Sequence, residues 1–464
     1  MYKFKTNPWE HQWKALDYTM THPAAAIFTD MGSGKTKIMI DTIVNHGFMF
    51  TLIVGTKKAC AVWEHEFTIH SDLKNCVFNL CGMSTVNKVT FMKEKLLSQQ
   101  NRHLPAVFIL NYESVWREPL KSYLYKRSFD CIICDESHRI KTPSSKVNIC
   151  MSALGRRSKY RYILSGTPTP ETPIDVYGQY KFLDPDVFGT NFDKFKAQYE
   201  NVDINETLRR GYKVLDAVQP YVNLDNLKKK MYSCAFHATA DIKLPNVTHV
   251  YFDQYLSQEA QEIYKELNKE GVYEDESGIT ETNNLLAKYT RLQQLLSGYL
   301  YVEDEDFTGH ELVEKDNTKI EALQYILEEI PPEEKVVVFC KYRKDFENIE
   351  ALCGKMRKQY GEVSGKRDNY SAWKNNEIDL LAVQYNSGSE SISLIEARYC
   401  IYYSHTFSYG QYKQSIKRTH RPGQKRPVTY YHIISKVAGK ESVDDKIKKA
   451  LSMKQSLSQY ILGQ

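Results

Sequence analysis

Short apolar, β-branched runs alternate with helix-patterned stretches along this chain, and that alternation admits few architectures. Ala24–Thr29, Thr51–Gly55, Ala106–Asn111, Cys131–Cys134 and Tyr162–Ser165 read as buried strands in the first half. Val336–Cys340, Leu380–Gln384, Tyr399–Tyr403 and Thr429–Ile434 read the same way in the second. Strands of this kind separated by helices build parallel sheets covered on both faces. Between the two sets the texture changes. Leu256, Ala260, Ile263, Tyr264 and Leu267 fall on one helical face, as do Leu285, Leu286, Tyr289, Leu292 and Leu296. The expected fold class is therefore α/β, with two lobes of parallel sheet flanked by helices and carrying helical insertions. The first lobe is expected over residues 1–235 with an insertion at about 185–230. The second is expected over 236–464, beginning with a helical segment at about 255–300, and the joint lies around Asp225–Val250.

Composition adds limits more than identity. A chain of 464 residues suits two to four domains at about 100–200 residues each. With 42% hydrophobic and 26% charged residues, a wholly disordered chain is excluded. The net charge of +5 is too small to argue for nucleic acid by itself. Basic clusters at Lys228–Lys230, Lys413–Arg426 and Lys446–Lys454, and an acidic stretch of Glu303, Asp304, Glu305 and Asp306, read first as solvated faces. No apolar run approaches the roughly 18 residues of a membrane helix, and the opening MYKFKTNPWEHQW lacks a signal-peptide core. Ten cysteines over this length form no disulfide framework. A reducing, cytoplasmic location without a membrane partner is the expectation.

The segment Thr29-Asp30-Met31-Gly32-Ser33-Gly34-Lys35-Thr36 follows a strand and opens a helical pattern, the context that a phosphate-binding loop requires. Its glycines let backbone N–H groups turn onto phosphates, and the helix N-terminus adds its positive dipole end. Lys35 would reach the β- and γ-phosphates, and the Thr36 hydroxyl would ligate Mg²⁺. Met31, Gly32, Ser33 and Gly34 complete the loop, with Thr29 standing where the usual pattern has its first glycine.

A second acidic anchor lies downstream. The strand Cys131–Cys134 ends in Asp135 and Glu136, so Asp135 can hold the Mg²⁺ shell while Glu136 orients and deprotonates water. Cys131 and Cys134 point to opposite faces of a strand and lack a second CxxC pair, so they read as core and not as zinc ligands. Ser165-Gly166-Thr167-Pro168 follows the next strand and is a candidate sensor of the γ-phosphate.

These residues resemble the SNF2-like branch of superfamily 2 helicases through most of the chain. Asp30–Thr36 is similar to DEMGLGKT, and Asp135–Lys146 to DEAHRLKN..S with Ser137 in place of alanine. Leu164–Pro168 resembles motif III, Val336–Cys340 motif IV, and Gln414–Gln424 (QSIKRTHRPGQ) closely resembles QAIGRAHRIGQ of motif VI. The resemblance implies tandem RecA-like lobes, ATP with Mg²⁺, and duplex or branched DNA held by its backbone. It implies that Gln12 reads adenine, that Lys57 and Trp63 (motif Ia), Asn111 and Tyr112 (motif Ib), Lys341 and Ser387 face DNA, and that Ser165, Thr167, Gly388 and Glu390 couple the two activities. Motif V departs from the family at Ser391 and Ser393, and no chromodomain, bromodomain or Cys/His module accompanies the motor.

Motif VI also makes chemical sense unaided. Arg418 and Arg421 are three apart, so on a helix they share a face, and guanidinium groups there could neutralise a transferring phosphoryl group. The resemblance adds Gln414 to this catalytic set. The expected activity is a DNA-dependent ATPase that translocates on duplex DNA and remodels branches in replication, recombination or repair. Two alternatives stand beside it: a duplex translocase that strips proteins or powers a restriction or repair complex, and a DNA-binding scaffold without catalysis. Its bare organisation is similar to that of motors encoded by phages.

Overall fold

The computed structural model describes residues 2–30, 32–201, 221–238, 244–275, 278–282, 285–303, 310–385 and 392–462. The chain forms two compact units, Met1–Ile242 with Ser456–Gln464, and Lys243–Gln455.

The first unit is built on a seven-stranded sheet in the order β3-β4-β2-β5-β6-β1-β7. Its strands are β1 (Ala24–Thr29), β2 (Phe50–Gly55), β3 (Val77–Asn79), β4 (Ala106–Asn111), β5 (Cys131–Asp135), β6 (Tyr160–Leu164) and β7 (Ala235–Ala238). Every pairing is parallel. The near-continuous apolar strands supply both faces. Ala26, Phe28, Leu52, Val54, Phe108, Leu110, Ile132 and Cys134 pack into one core. Their neighbours Ala25, Ile27, Ile53, Val107, Ile109, Cys131 and Ile133 pack into another. Cys131 and Cys134 thus lie in different cores, and all ten cysteines are free.

The second unit repeats the design. A six-stranded sheet runs β14-β15-β13-β16-β17-β8, again wholly parallel. Its strands are β8 (Val247–Tyr255), β13 (Val336–Cys340), β14 (Tyr360–Val363), β15 (Leu380–Gln384), β16 (Tyr399–Tyr402) and β17 (Val428–Lys436). Alternate residues again serve opposite cores, Val337 and Phe339 one, Val336 and Val338 the other. Two parallel sheets flanked by helices are the architecture that the alternating pattern implied.

One expectation is corrected. The span at about 255–300 is not wholly helical. Helices Gln258–Glu270 and Leu285–Leu296 flank β9 (Val272–Asp275) and β10 (Gly278–Glu281). With β11 (Tyr299–Glu303) and β12 (His310–Glu314) these form a four-stranded antiparallel sheet. Four-residue strands rich in acids carry too little apolar alternation to stand out beside an amphipathic helix. In the stretch at about 185–230, helices occur at Phe192–Tyr199 and Leu224–Tyr232, and 202–220 lie outside the described residues. Among the described residues no helix is long and apolar enough to cross a membrane.

Candidate nucleotide site and the second-unit motifs

Parallel strands deliver all their carboxyl ends to one edge, where open α/β sheets bind ligands. After β1 the chain crosses to β2, beyond β5 and β6, so the loop following β1 sits at a change of direction. Gly34 caps the helix Lys35–His46 in the left-handed conformation at φ 77°. A side chain there is excluded twice, because a Cβ would also fall 2.3 Å from Gln12 Nε2. Gln12 and His11, on the helix Glu10–Thr21, both engage the Ser33 carbonyl, at 3.1 and 2.8 Å. The Gln12 amide is held at its other end too, its Oε1 accepting from Trp9 N. Thr29 and Ser33 hydroxyls meet at 2.7 Å, and the Lys35 ammonium donates into the turn to Thr29 O and Asp30 O. Thr29, the departure from the usual glycine, therefore braces the loop from below.

The acidic pair ends β5, two sheet positions or about 10 Å from β1. Asp135 is fixed from three sides. Its Oδ2 accepts from Trp63 Nε1 at 2.8 Å, its Oδ1 accepts from Glu136 N at 2.9 Å, and its carbonyl accepts from Tyr112 OH at 2.7 Å. Glu136 adopts φ 49°, rare for a residue with a side chain and a mark of functional turns. Its carboxylate lies 3.4 Å from His138 Nδ1 and is nearly buried. Asp135 and Thr36 offer hard oxygen donors of the type that Mg²⁺ takes.

Two expectations for DNA contact are overturned here. Trp63 is 1% exposed and Tyr112 2%, each packed in a core of the first unit. Their polar atoms serve Asp135, so neither ring presents a surface to a DNA backbone. Lys57 is exposed. Asn111 accepts from the buried Lys88 ammonium at 3.0 Å and donates to Glu113, itself bonded by Arg139. Lys57, Lys88, Asn111 and Arg117 line an open cleft of about 590 Å³ beside the ends of β2 and β4. Burial lowers the Lys88 pKa.

Ser165 and Thr167 follow β6, and the Thr167 N–H donates to Ser165 Oγ at 3.0 Å. The hydroxyls of Thr167 and Thr169 are buried without a partner among the described residues. Sequence reading overlooked Gln179, which touches both this loop and the acidic turn. Its visible trace is a glutamine on the apolar face of Val176, Tyr180 and Leu183.

In the second unit the helix Tyr409–Thr419 carries Gln414, partly exposed, and Arg418, 3% exposed, whose Nη2 donates to Tyr385 O. Arg421 is not on that helix, which corrects the expectation of a shared face. Pro422 disfavours helical backbone at Arg421, and the helix ends at Thr419 with His420 as its cap. Burial lowers the Arg421 pKa. The trailing Gln424 is a clamp: its amide donates to Ile395 O and Ala397 O and accepts from Lys425 N and Arg426 N. The Lys341 ammonium is bound within the unit, at 2.7 Å from Gln293 Oε1, and burial lowers its pKa. Met31, Ser387, Gly388 and Glu390 lie outside the described residues.

Residues 11–298 match the SNF2-related domain, and residues 318–423 the helicase conserved C-terminal domain. The chain belongs to the SNF2-related family. It is an ATPase of the helicase and translocase type. Putative protein p41 of Acyrthosiphon pisum secondary endosymbiont phage 1 is 23% identical over 100% of this chain and 99% of its own length. The RAD54-like DNA repair and recombination protein of Drosophila ananassae is 21% identical over 93% of the chain, which spans only 59% of that relative. The chromatin-remodelling factor PICKLE of Arabidopsis thaliana is 22% identical over 88% of the chain and 28% of itself. The solved Sulfolobus solfataricus SWI2/SNF2 ATPase core in complex with dsDNA aligns over 99% of this chain and 94% of its own, with TM-score 0.43 and 18% identity.

Proposed function

We propose that this SNF2-related ATPase is a DNA translocase that tracks on duplex DNA and remodels branches by branch migration, fork regression or strand displacement. The observation that carries the reading is the convergence of three features on one edge of the first sheet. The Gly34–Lys35 loop, the Asp135–Glu136 turn and the cleft of Lys57, Lys88 and Arg117 all sit at strand carboxyl ends. In this reading the loop amides and Lys35 hold the ATP phosphates, and Glu136 accepts the proton of the attacking water. Thr36 and Asp135 would hold Mg²⁺, which when bound neutralises phosphate charge. Arg421 and Gln414 are the second unit's candidates for a part in turnover, and Arg418 braces the helix Tyr409–Thr419 through Tyr385. In the cleft, which Glu113 and Glu118 also line, Lys57, Lys88 and Arg117 would take phosphate oxygens, which position a duplex without reading its sequence.

The RAD54-like relatives are named for repair and recombination, which supports the branched-DNA substrate. PICKLE is named for chromatin remodelling and favours a second reading, a duplex translocase that displaces bound proteins. DNA-stimulated ATP hydrolysis should disappear in Lys35→Ala and in Glu136→Gln, while Arg421→Ala should bind ATP without turning it over. A mobile Holliday junction, a forked duplex and a triplex on linear duplex then separate the two readings. Triplex displacement without junction or fork processing would select the second.

A further inference from the structure

Behind the acidic turn lies a polar bridge that the ATPase chemistry does not by itself require. Ser137, next to Glu136 and fully buried, donates its hydroxyl to Gln179 Oε1 at 2.7 Å. Gln179, also fully buried on the helix Val176–Leu183, donates from Nε2 to Pro168 O at 2.6 Å and Asp175 O at 2.9 Å. The amide orientation is determined by its surroundings, because flipping it would set Oε1 against two carbonyl oxygens. The serine must therefore donate. The same helix is locked to the acidic turn by shape. A Cβ on Gly178 would lie 2.2 Å from Lys141 O and 2.5 Å from Ile140 O, and Asn148 Nδ2 binds both Ile140 O and Gly178 O. Pro168 stands between Thr167 and Thr169, whose buried hydroxyls lack partners among the described residues.

We propose that Gln179 is a positioning residue that transmits the placement of the Asp135–Ser137 turn to the Thr167–Thr169 loop, and so sets how strongly DNA stimulates hydrolysis. The proposal rests on the translocase reading above. Both partners are buried, so water cannot substitute for either bond, and a shift of the serine is passed to Pro168 through one rigid amide. The family pattern quoted for this segment has alanine where this chain has Ser137, and alanine has no hydroxyl to give to Gln179.

The test compares Gln179→Met, which keeps the volume, and Ser137→Ala with the unaltered full chain. ATP turnover is measured with and without linear duplex, together with the KM for ATP and the thermal midpoint. The ratio of DNA-stimulated to DNA-free turnover should fall about tenfold in each variant, as expected for losing a buried hydrogen bond from the stimulated state, with KM within about twofold. The double variant should be no worse than Gln179→Met alone. An unchanged ratio in Ser137→Ala, which removes one atom, overturns the bridge even if Gln179→Met folds poorly. Equal losses with and without DNA, accompanied by a lowered midpoint, would make the bridge merely structural and also overturn it. If the unaltered chain shows no DNA stimulation, the translocase reading fails first and takes the bridge with it.

Discussion

Trp63 and Asp135 are joined within the first unit by an indole N–H donated to Oδ2 at 2.8 Å. The ring belongs to the core, yet its one polar atom holds the carboxylate proposed above as a Mg²⁺ ligand. Trp63→Phe keeps an aromatic ring in that core and removes the donor, but it also removes buried volume, so the thermal midpoint is measured beside the rate. A hydrogen bond to a charged group contributes about 1.5–3 kcal/mol, so kcat should fall on the order of tenfold to a hundredfold. The Mg²⁺ concentration needed for half-maximal rate should rise. A normal kcat and Mg²⁺ response would show that Asp135 keeps its orientation without the indole.

Gly34 is held by φ 77° and by the nearness of Gln12 Nε2. Gly34→Ala adds about 1–2 kcal/mol of left-handed strain and a clash that must displace Gln12. ATP affinity, read by fluorescent-nucleotide titration, should weaken at least about tenfold, since each 1.4 kcal/mol is a decade. Displacement of Gln12 alone is mimicked by Gln12→Ala, which should lose less. Equal losses in the two variants would place the whole effect on the glutamine.

Local patterns were legible in the sequence and distant partnerships were not. The strand–loop–helix around Lys35 and the apolar strand ending in Asp135 are contiguous, and each follows from nearest-neighbour chemistry. Trp63 lies 72 residues from the carboxylate it orients and Gln179 lies 42 from Ser137, so nothing adjacent to either announces its partner. The resemblance sets Lys341 facing DNA, but Gln293, 48 residues upstream, accepts from its ammonium. The end of the helix before Arg421 follows from Pro422, whose restriction on the preceding residue outweighs the three-residue spacing of the two arginines.

A histidine chain makes the second unit sensitive to acid. His249 Nδ1 lies 3.0 Å from His432 Nε2, and His432 Nδ1 lies 3.4 Å from His405 Nε2. Burial lowers the pKa of His249, lowers that of His405 to about 4, and drives that of His432 well below its ordinary range. Each ring therefore binds a proton more readily in the unfolded chain, near pH 6.5. Stability is complete above that value and falls as pH drops from about 6.5 towards 4, by on the order of 3 kcal/mol for His405 alone. The thermal midpoint should decline from pH 7.5 to 5, and less steeply in His405→Asn. Parallel declines in the two proteins would assign the acid sensitivity to other groups.

Lys319 and Asp444 form an ion pair at 3.1 Å with side-chain exposures of 1% and 0%. Asp444 Oδ2 also accepts from Ser435 N, so this carboxylate ties the helix Thr318–Glu329 to the end of β17. Lys319→Met leaves a buried carboxylate uncompensated and should destabilise by about 3–5 kcal/mol. Adding Asp444→Asn removes the stranded charge while keeping an oxygen for Ser435 N. The double variant should therefore be more stable than Lys319→Met alone, although it lacks both charges. Chemical denaturation of the three proteins decides the matter. If the second substitution adds to the first, the cost of Lys319→Met lies in lost packing of the lysine stem and not in the stranded charge.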